Sequence, residues 1–180
     1  MHSLIIKAHP RADGFSHRIA ESYKEKVEKS GNTALILDLC NAENFQEYVS
    51  FADATHITED ETTQKMQKLI SEADELVWIF PVWWFDAPAV MKNFWDRNFT
   101  SGFAFRYHPN GAGWDKLLTG KITKVFATAG GPGWLIGFFM GLIWKMGRFG
   151  FVGMKTTSFK VFGNFPKQTE ETKQKFLKNL

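Results

Sequence analysis

The chain has little of what would place it in several large protein classes. A single cysteine, Cys40, excludes an intrachain disulfide, which fits a reducing compartment such as the cytoplasm. A lone Cys of this kind reads as a small buried or loop residue rather than a nucleophile. There is no Lys/Arg cluster and the net charge is only +3, so nucleic-acid binding has no electrostatic footprint. The longest apolar run, Trp134 to Trp144, stops at Lys145 after eleven residues. That is too few for membrane insertion and predicts a buried or interface helix. The first apolar run, Leu4-Ile5-Ile6, is broken at Lys7, so no signal peptide is expected there. Repeats, linkers and low-complexity stretches are also lacking. The whole chain, 1–180, is expected to be one domain, long enough to bury a core.

The surplus is aromatic. With 18 Phe and 7 Trp, aromatic residues make up 16% of a chain whose 44% hydrophobic and 23% charged contents are ordinary. Such a surplus calls for an aromatic pocket, a subunit interface, or both.

Strand and helix signals alternate. Short apolar runs predict strands at Leu4–Ala8, Ala34–Leu39, Glu75–Phe80, Ile122–Thr128 and Thr156–Val161. Ile19, Tyr23 and Val27 form a helical stripe within Phe15–Ser30, ended by Gly31. Thr58-Glu59-Asp60-Glu61 opens a second helix with acids in its first turn and Met66, Leu69, Ile70 and Ala73 on its apolar face. Further helices are expected at Pro88–Arg97, Trp134–Phe149 and Lys167–Leu180, with long loops at Asn41–His56 and Phe99–Gly120. Five strands alternating with helices predict an α/β fold, a parallel sheet covered on both faces.

Three loops at the carboxyl ends of strands carry the chemistry. The first, His9 to Arg18, joins a strand to a helix N-terminus, where free N–H groups favour an anion. Gly14 permits a tight turn, Ser16 offers a hydroxyl, and His9 stands where its ring could donate to a phosphate. The loop has neither the Gly-Lys-Ser/Thr ending of a Walker loop nor a Gly-x-Gly-x-x-Gly fingerprint, which argues against nucleotide hydrolysis and Rossmann-type NAD binding. The alternative is that Gly14 and Ser16 only cap the helix. The second loop, Pro81-Val82-Trp83-Trp84-Phe85, ends a buried strand at a rigid proline and sets three aromatic rings beyond it, suited to a flat conjugated ligand or to core packing. The third, Thr128-Ala129-Gly130-Gly131, lets a ligand approach backbone donors, with Trp134 placed either to wall a pocket or to join the core. In the strand order 2-1-3-4-5 these loops converge on the switch-point crevice. A phosphate site, aromatic faces and backbone donors together describe a site for flavin mononucleotide.

These residues resemble the flavodoxin-fold NAD(P)H:quinone oxidoreductases. The resemblance rests on Ala8-His9-Pro10 with Gly14-Phe15-Ser16, Asp38-Leu39 with Phe45, and Pro81-Val82-Trp83-Trp84-Phe85 with Pro88-Ala89, Lys92 and Trp95-Asp96-Arg97. Gly102 to Tyr107, Leu117 to Lys121 and Ala129-Gly130-Gly131 extend it. It implies a flavodoxin-like three-layer sandwich in which His9, Gly14, Phe15 and Ser16 hold the flavin phosphate. Pro81, Val82, Trp83, Trp84 and Phe85 would contact the ring, with Thr128, Ala129, Gly130 and Gly131 on its polar edge. Phe105 and Tyr107 would reach the partner's site in a homodimer. The implied reaction is ping-pong transfer of a hydride from NAD(P)H through bound FMN to a quinone or similar small-molecule acceptor. FMN comes first because the phosphate loop alone accounts for its tail; FAD is the alternative, with the Asn41–His56 loop for its adenine. The chain departs from the family at Gly14, where serine is frequent, and at Ala129, where threonine is frequent. It also lacks the Tyr and His that some members carry after Gly-Gly, so no catalytic side chain is assigned; His108 is a weak substitute. Two rival readings are an electron carrier without a substrate, disfavoured by the slightly basic charge, and an accessory or regulatory subunit. Arg11, Arg18 and Arg148 are candidates to meet a 2′-phosphate, or solvated surface charges.

Overall fold

The computed structural model describes residues 1–11, 13–49 and 60–180. In chain order it comprises β1 (His2–Lys7), α1 (Phe15–Lys29), β2 (Thr33–Asp38), α2 (Glu61–Glu72), β3 (Glu75–Pro81), α3 (Ala89–Asn98), β4 (Phe105–Tyr107), β5 (Trp114–Lys116), β6 (Ile122–Thr128), α4 (Gly133–Ile143), α5 (Gly150–Val152), β7 (Lys155–Phe162) and α6 (Glu170–Lys178). Five strands form a parallel sheet in the order β2-β1-β3-β6-β7, which is 2-1-3-4-5 when only its own strands are counted.

Alternate residues of the central strands feed two separate cores, as the two-residue repeat of a strand requires. Leu4, Ile6, Leu76, Trp78 and Phe80 join α2, α3 and α4 through Met66, Ile70, Met91, Phe94, Ile136 and Met140. Ile5, Val77, Ile79 and Phe126 pack on the other face against Ile19, Tyr23 and Val27 of α1, with Leu177 of α6 beside them. Every residue of β3 is buried, which explains its unbroken apolar run. One polar network interrupts this interior. Glu75 is fully buried; Ser3 and Tyr23 donate to its Oε2 at 2.6 and 2.9 Å, and Lys124 Nζ lies 2.9 Å from Oε1. Burial, the larger cause, and the nearby carboxylate push the Tyr23 phenol up to about 12.

Three stretches differ from the expectations. The segment read as irregular, Phe99–Gly120, contains the antiparallel pair β4 and β5. The apolar helix does not stop near Phe149: α4 runs into a π-helical turn, Trp144–Phe149, and then α5, ending at Gly153 with φ 95°. This 20-residue run, Gly133–Val152, is long and apolar enough to cross a membrane by length and composition alone, against the eleven residues counted from the apolar run. Lys145 and Arg148 do not end it, since both are good helix formers, and Arg148 is paired with Asp86. Its other face belongs to the core through Ile136, Met140, Trp144, Phe149 and Val152. In α2 the acid at Asp60 is the cap, accepting from Thr63 N at 2.7 Å; Thr58 and Glu59 lie outside the described residues, as does the 50–56 part of the long loop expected at Asn41–His56. The terminal helix starts later than Lys167, since Phe165–Lys167 forms a separate 3-10 turn and Thr169 caps α6.

Candidate flavin-binding crevice

The anion loop begins where β1 ends at Lys7, whose buried ammonium pairs with Asp38 at 2.6 Å. Ala8 N donates to Ile79 O, fastening the start of the loop to β3. The chain then enters α1 through Gly14 at the N-cap, which has no side chain to cap the helix. The first N–H groups of a helix have no intrahelical acceptor, so this end is open to an anion. A Cβ at residue 14 would lie 3.2 Å from the His9 ring and 3.3 Å from Arg11 O, so glycine keeps the turn tight. Ser16 Oγ is buried and has no hydrogen-bond partner among the described residues. It is therefore no helix cap. Burying an unpaired hydroxyl is unfavourable, and the pattern fits a group that accepts from it. His9 Nδ1 accepts from Arg11 N at 3.0 Å. Burial, as the largest cause, holds the His9 imidazole below its usual pKa, and the charges of Lys7 and Arg11 add to it. Phe15 differs from its assignment. Its ring is buried among Phe162, Phe165 and Phe176 at centroid distances of 5.6, 5.4 and 6.2 Å, so only its main chain can serve an anion.

The aromatic loop is built on β3 and β6. Pro81 is paired with Thr128, and Val82 N donates to Thr128 O at 2.7 Å. The chain then reverses: Trp83 N donates to Asp86 O at 2.8 Å and Asp86 N to Trp83 O at 2.9 Å. Both central residues, Trp84 and Phe85, have positive φ, 52° and 58°. Primed two-residue turns of this kind ordinarily take Asn-Gly, so two aromatic side chains here are strained. Trp84 is 100% exposed. Against this turn lies the third loop. The two loops enclose an open crevice of about 410 Å³ lined by Val82, Trp84 and Phe85 on one side and Ala129, Gly130, Gly131, Pro132, Leu135 and Ile136 on the other. A Cβ at Gly130 would meet nothing within 4 Å, whereas one at Gly133 would lie 2.4 Å from Val161 O. Gly130 thus borders open space, and Gly133 lets two main chains touch.

Other assigned residues fall outside the crevice lining. Pro81 and Thr128 are buried strand ends that carry the loops. Trp83 takes part in the turn but does not line the crevice, and neither does Trp134, which is 78% exposed; Leu135 and Ile136 take its place. Phe105 and Tyr107 sit on the small hairpin, edge to face at 5.2 Å, with Phe105 against Phe151. His108 is on the same hairpin, bonded to Asp115 and Ala112 O, each at 3.0 Å, and the Asp115 carboxylate raises its pKa. Arg148 is neither a solvated charge nor free to meet a phosphate: it holds Asp86 bidentately at 2.8 and 2.6 Å. Asp86 was missed by sequence reasoning. Its partner lies 62 residues away, and no local pattern announces such a pair.

The sheet order, with a crevice at the carboxyl ends of its central strands, defines a flavodoxin-like α/β protein. The chain belongs to the flavodoxin-like fold family, whose model matches residues 1–180. It is 31% identical over 126 residues to NAD(P)H dehydrogenase [quinone] 1 of Cavia porcellus, covering 58% of this chain and 45% of that protein. The match therefore spans less than half of that relative's length. Among solved structures it resembles Smu.1420 from Streptococcus mutans UA159, with TM-score 0.83, 28% identity and coverage of 99% and 96% of the two chains. It likewise resembles the NAD(P)H:quinone oxidoreductase from Methanothermobacter marburgensis, with TM-score 0.82, 25% identity and coverage of 99% and 94%.

Proposed function

We propose that this protein is an NAD(P)H-dependent oxidoreductase that reduces a quinone or a similar flat acceptor through a bound flavin. The observation that carries the reading is the pairing of two features at one edge of the sheet. One is a crevice walled by Trp84 and Phe85 and faced by the Ala129–Gly131 main chain. The other is an anion cradle in which a buried Ser16 hydroxyl lacks a partner among the described residues. Ser16, the His9 ring and the first N–H groups of α1 would hold the phosphate. Val82, Trp84 and Phe85 would hold the ring, with the Thr128–Gly131 main chain on its polar edge. FMN fits this inventory, since the cradle accounts for its only phosphate; FAD is the second choice.

A flavin bound there supplies hydride chemistry between a nicotinamide donor and the acceptor. The chain supplies position. Its rigid backbone and aromatic wall keep a flat molecule in one plane and exclude water from that face. Among the described residues no titratable side chain lines the crevice, so no lining residue is assigned as acid or base. Donor and acceptor are taken to use the crevice in turn, a ping-pong order. The exposed face of α4 and the π turn, with Phe138, Phe139, Leu142, Ile143 and Met146, is read as an isologous homodimer contact. Phe105 and Tyr107 would then face the partner's crevice. A cytoplasmic setting rests on the single cysteine.

The test is an absorption spectrum after reconstitution with FMN and with FAD, followed by anaerobic addition of NADPH or NADH. A bound flavin band that bleaches, and returns when a quinone is added, is expected. A band that never bleaches leaves an electron carrier, and no bound flavin in either reconstitution refutes the reading.

A further inference from the structure

The Trp83–Asp86 turn is held open to an unfavourable conformation from outside itself. Asp86 Oδ1 accepts from its neighbour Ala87 N at 2.8 Å, from Trp144 Nε1 at 3.0 Å and from Arg148 Nη1 at 2.8 Å, while Oδ2 accepts from Arg148 Nη2 at 2.6 Å. Trp144 and Arg148 both sit in the π-helical turn that follows α4. Short π turns inside helices concentrate at functional sites. The π turn has its own local requirement: Gly150 N donates to Lys145 O, and a Cβ at Gly150 would lie 2.6 Å from that oxygen. The Arg148 guanidinium lies over the Trp144 ring at 4.2 Å, and Trp144 stacks on Phe80, one residue before Pro81, at 5.0 Å. The strained turn, the widened helix and the three hydrogen bonds between them are parts of one arrangement.

We propose that Asp86 is a positioning residue: tied to Arg148 and Trp144, its carboxylate locks the turn that presents Trp84 and Phe85 to the crevice. The lock acts through the turn and touches no bound molecule. Arg148 is the suited partner because its planar fork engages both carboxylate oxygens, which a lysine cannot do. Burial favours protonation of Asp86, but the Arg148, Ala87 and Trp144 hydrogen bonds outweigh it and hold the carboxyl below its usual pKa, so it is ionised at neutral pH. Without the lock the turn is free to relax from positive φ at two bulky residues.

The inference rests in part on the proposed function, and its test separates the two. Amide hydrogen exchange is followed at Trp83 and Asp86 in the protein without added flavin, with the buried β3 amides of Trp78, Ile79 and Phe80 as internal reference. Asp86→Ala and Arg148→Met are expected to speed exchange at the turn by at least about tenfold and to leave the β3 amides unchanged, with Arg148→Lys intermediate. Trp144→Phe, which keeps an aromatic ring and removes one donor, gives a smaller effect in the same direction. FMN titration then gives dissociation constants raised about tenfold in the variants that loosen the turn. Turn amides that do not change, or that change only together with β3, overturn the lock. Unchanged FMN affinity in a variant with a loosened turn overturns its positioning role. If the wild-type protein binds neither FMN nor FAD, the proposed function falls, and hydrogen exchange alone still decides the lock.

Discussion

Ser16 and His9 make opposite demands on folding and on binding. The Ser16 hydroxyl is buried and unpaired among the described residues, so Ser16→Ala removes a desolvated group and should raise the stability of the ligand-free protein by about 1 kcal/mol in urea unfolding. If Ser16 holds the flavin phosphate as proposed, the same change removes a donor to a charged group, a bond worth about 1.5–3 kcal/mol, and should weaken FMN binding about tenfold or more in a fluorescence titration. Loss of both would mean that the hydroxyl has a partner in the ligand-free protein. For His9 the folded pKa lies below the usual imidazole value because the ring is partly buried. Between the two values the unfolded chain binds more protons, so this residue makes stability rise with pH there and lowers it as pH falls through the unfolded value of about 6.5. An anion beside the ring reverses the shift. In an NMR titration the His9 resonances should move at a pH below about 6.5 in the ligand-free protein and at a higher pH once FMN is bound.

At the level of elements, the buried Glu75 network and the glycine contacts are the rigid points. Glu75→Ala leaves Lys124 beside an emptied site with its neighbour Tyr23. Breaking a buried pair from one side costs about 3–5 kcal/mol, which chemical denaturation would show as a large fall in midpoint. Gly133→Ala forces a methyl to 2.4 Å from Val161 O, where main chain has little room to yield. It should destabilise by about 1–3 kcal/mol or more and distort the crevice loop that Gly133 closes. How much of this was legible differs by element for physical reasons. The central strands are buried on both faces, so their apolar runs marked them within a residue or two, and their alternation with helices announced a parallel sheet; the order 2-1-3-4-5 came with the flavodoxin-like resemblance. The β4 and β5 strands are short and mostly exposed, and the Asn110–Gly113 connection breaks any period, so nothing in the sequence separates them from loop. The π turn depends on a backbone register that side-chain spacing does not encode. The two crevice loops could be located from Pro81 and Gly130, but the direction of the Phe15 ring and the Asp86–Arg148 pair are tertiary facts.

For the molecule as a whole, the sheet separates its tasks by end. The amino-terminal end of β3 holds the Glu75 ion network, and the carboxyl-terminal end opens into the crevice. The long helical run crosses beside that open end with an apolar face of Phe138, Phe139, Leu142, Ile143 and Met146 in solvent. If that face joins two copies, sedimentation should show a dimer, and the paired change Phe138→Glu with Leu142→Lys should give monomers whose melting remains cooperative. A wild-type monomer at high protein concentration would remove the dimer reading.

The turn at Trp84 and Phe85 has a consequence for anyone who subjects this protein to laboratory evolution. Replacing those two residues by Asn-Gly relieves unfavourable backbone geometry and, at fully exposed Trp84, forfeits almost no packing. A screen that rewards heat resistance alone will therefore drift toward that dipeptide. Its winners will be robust, soluble and well folded, and they will have lost one wall of the crevice. Selection for turnover must accompany selection for endurance if this scaffold is to be hardened without being silenced.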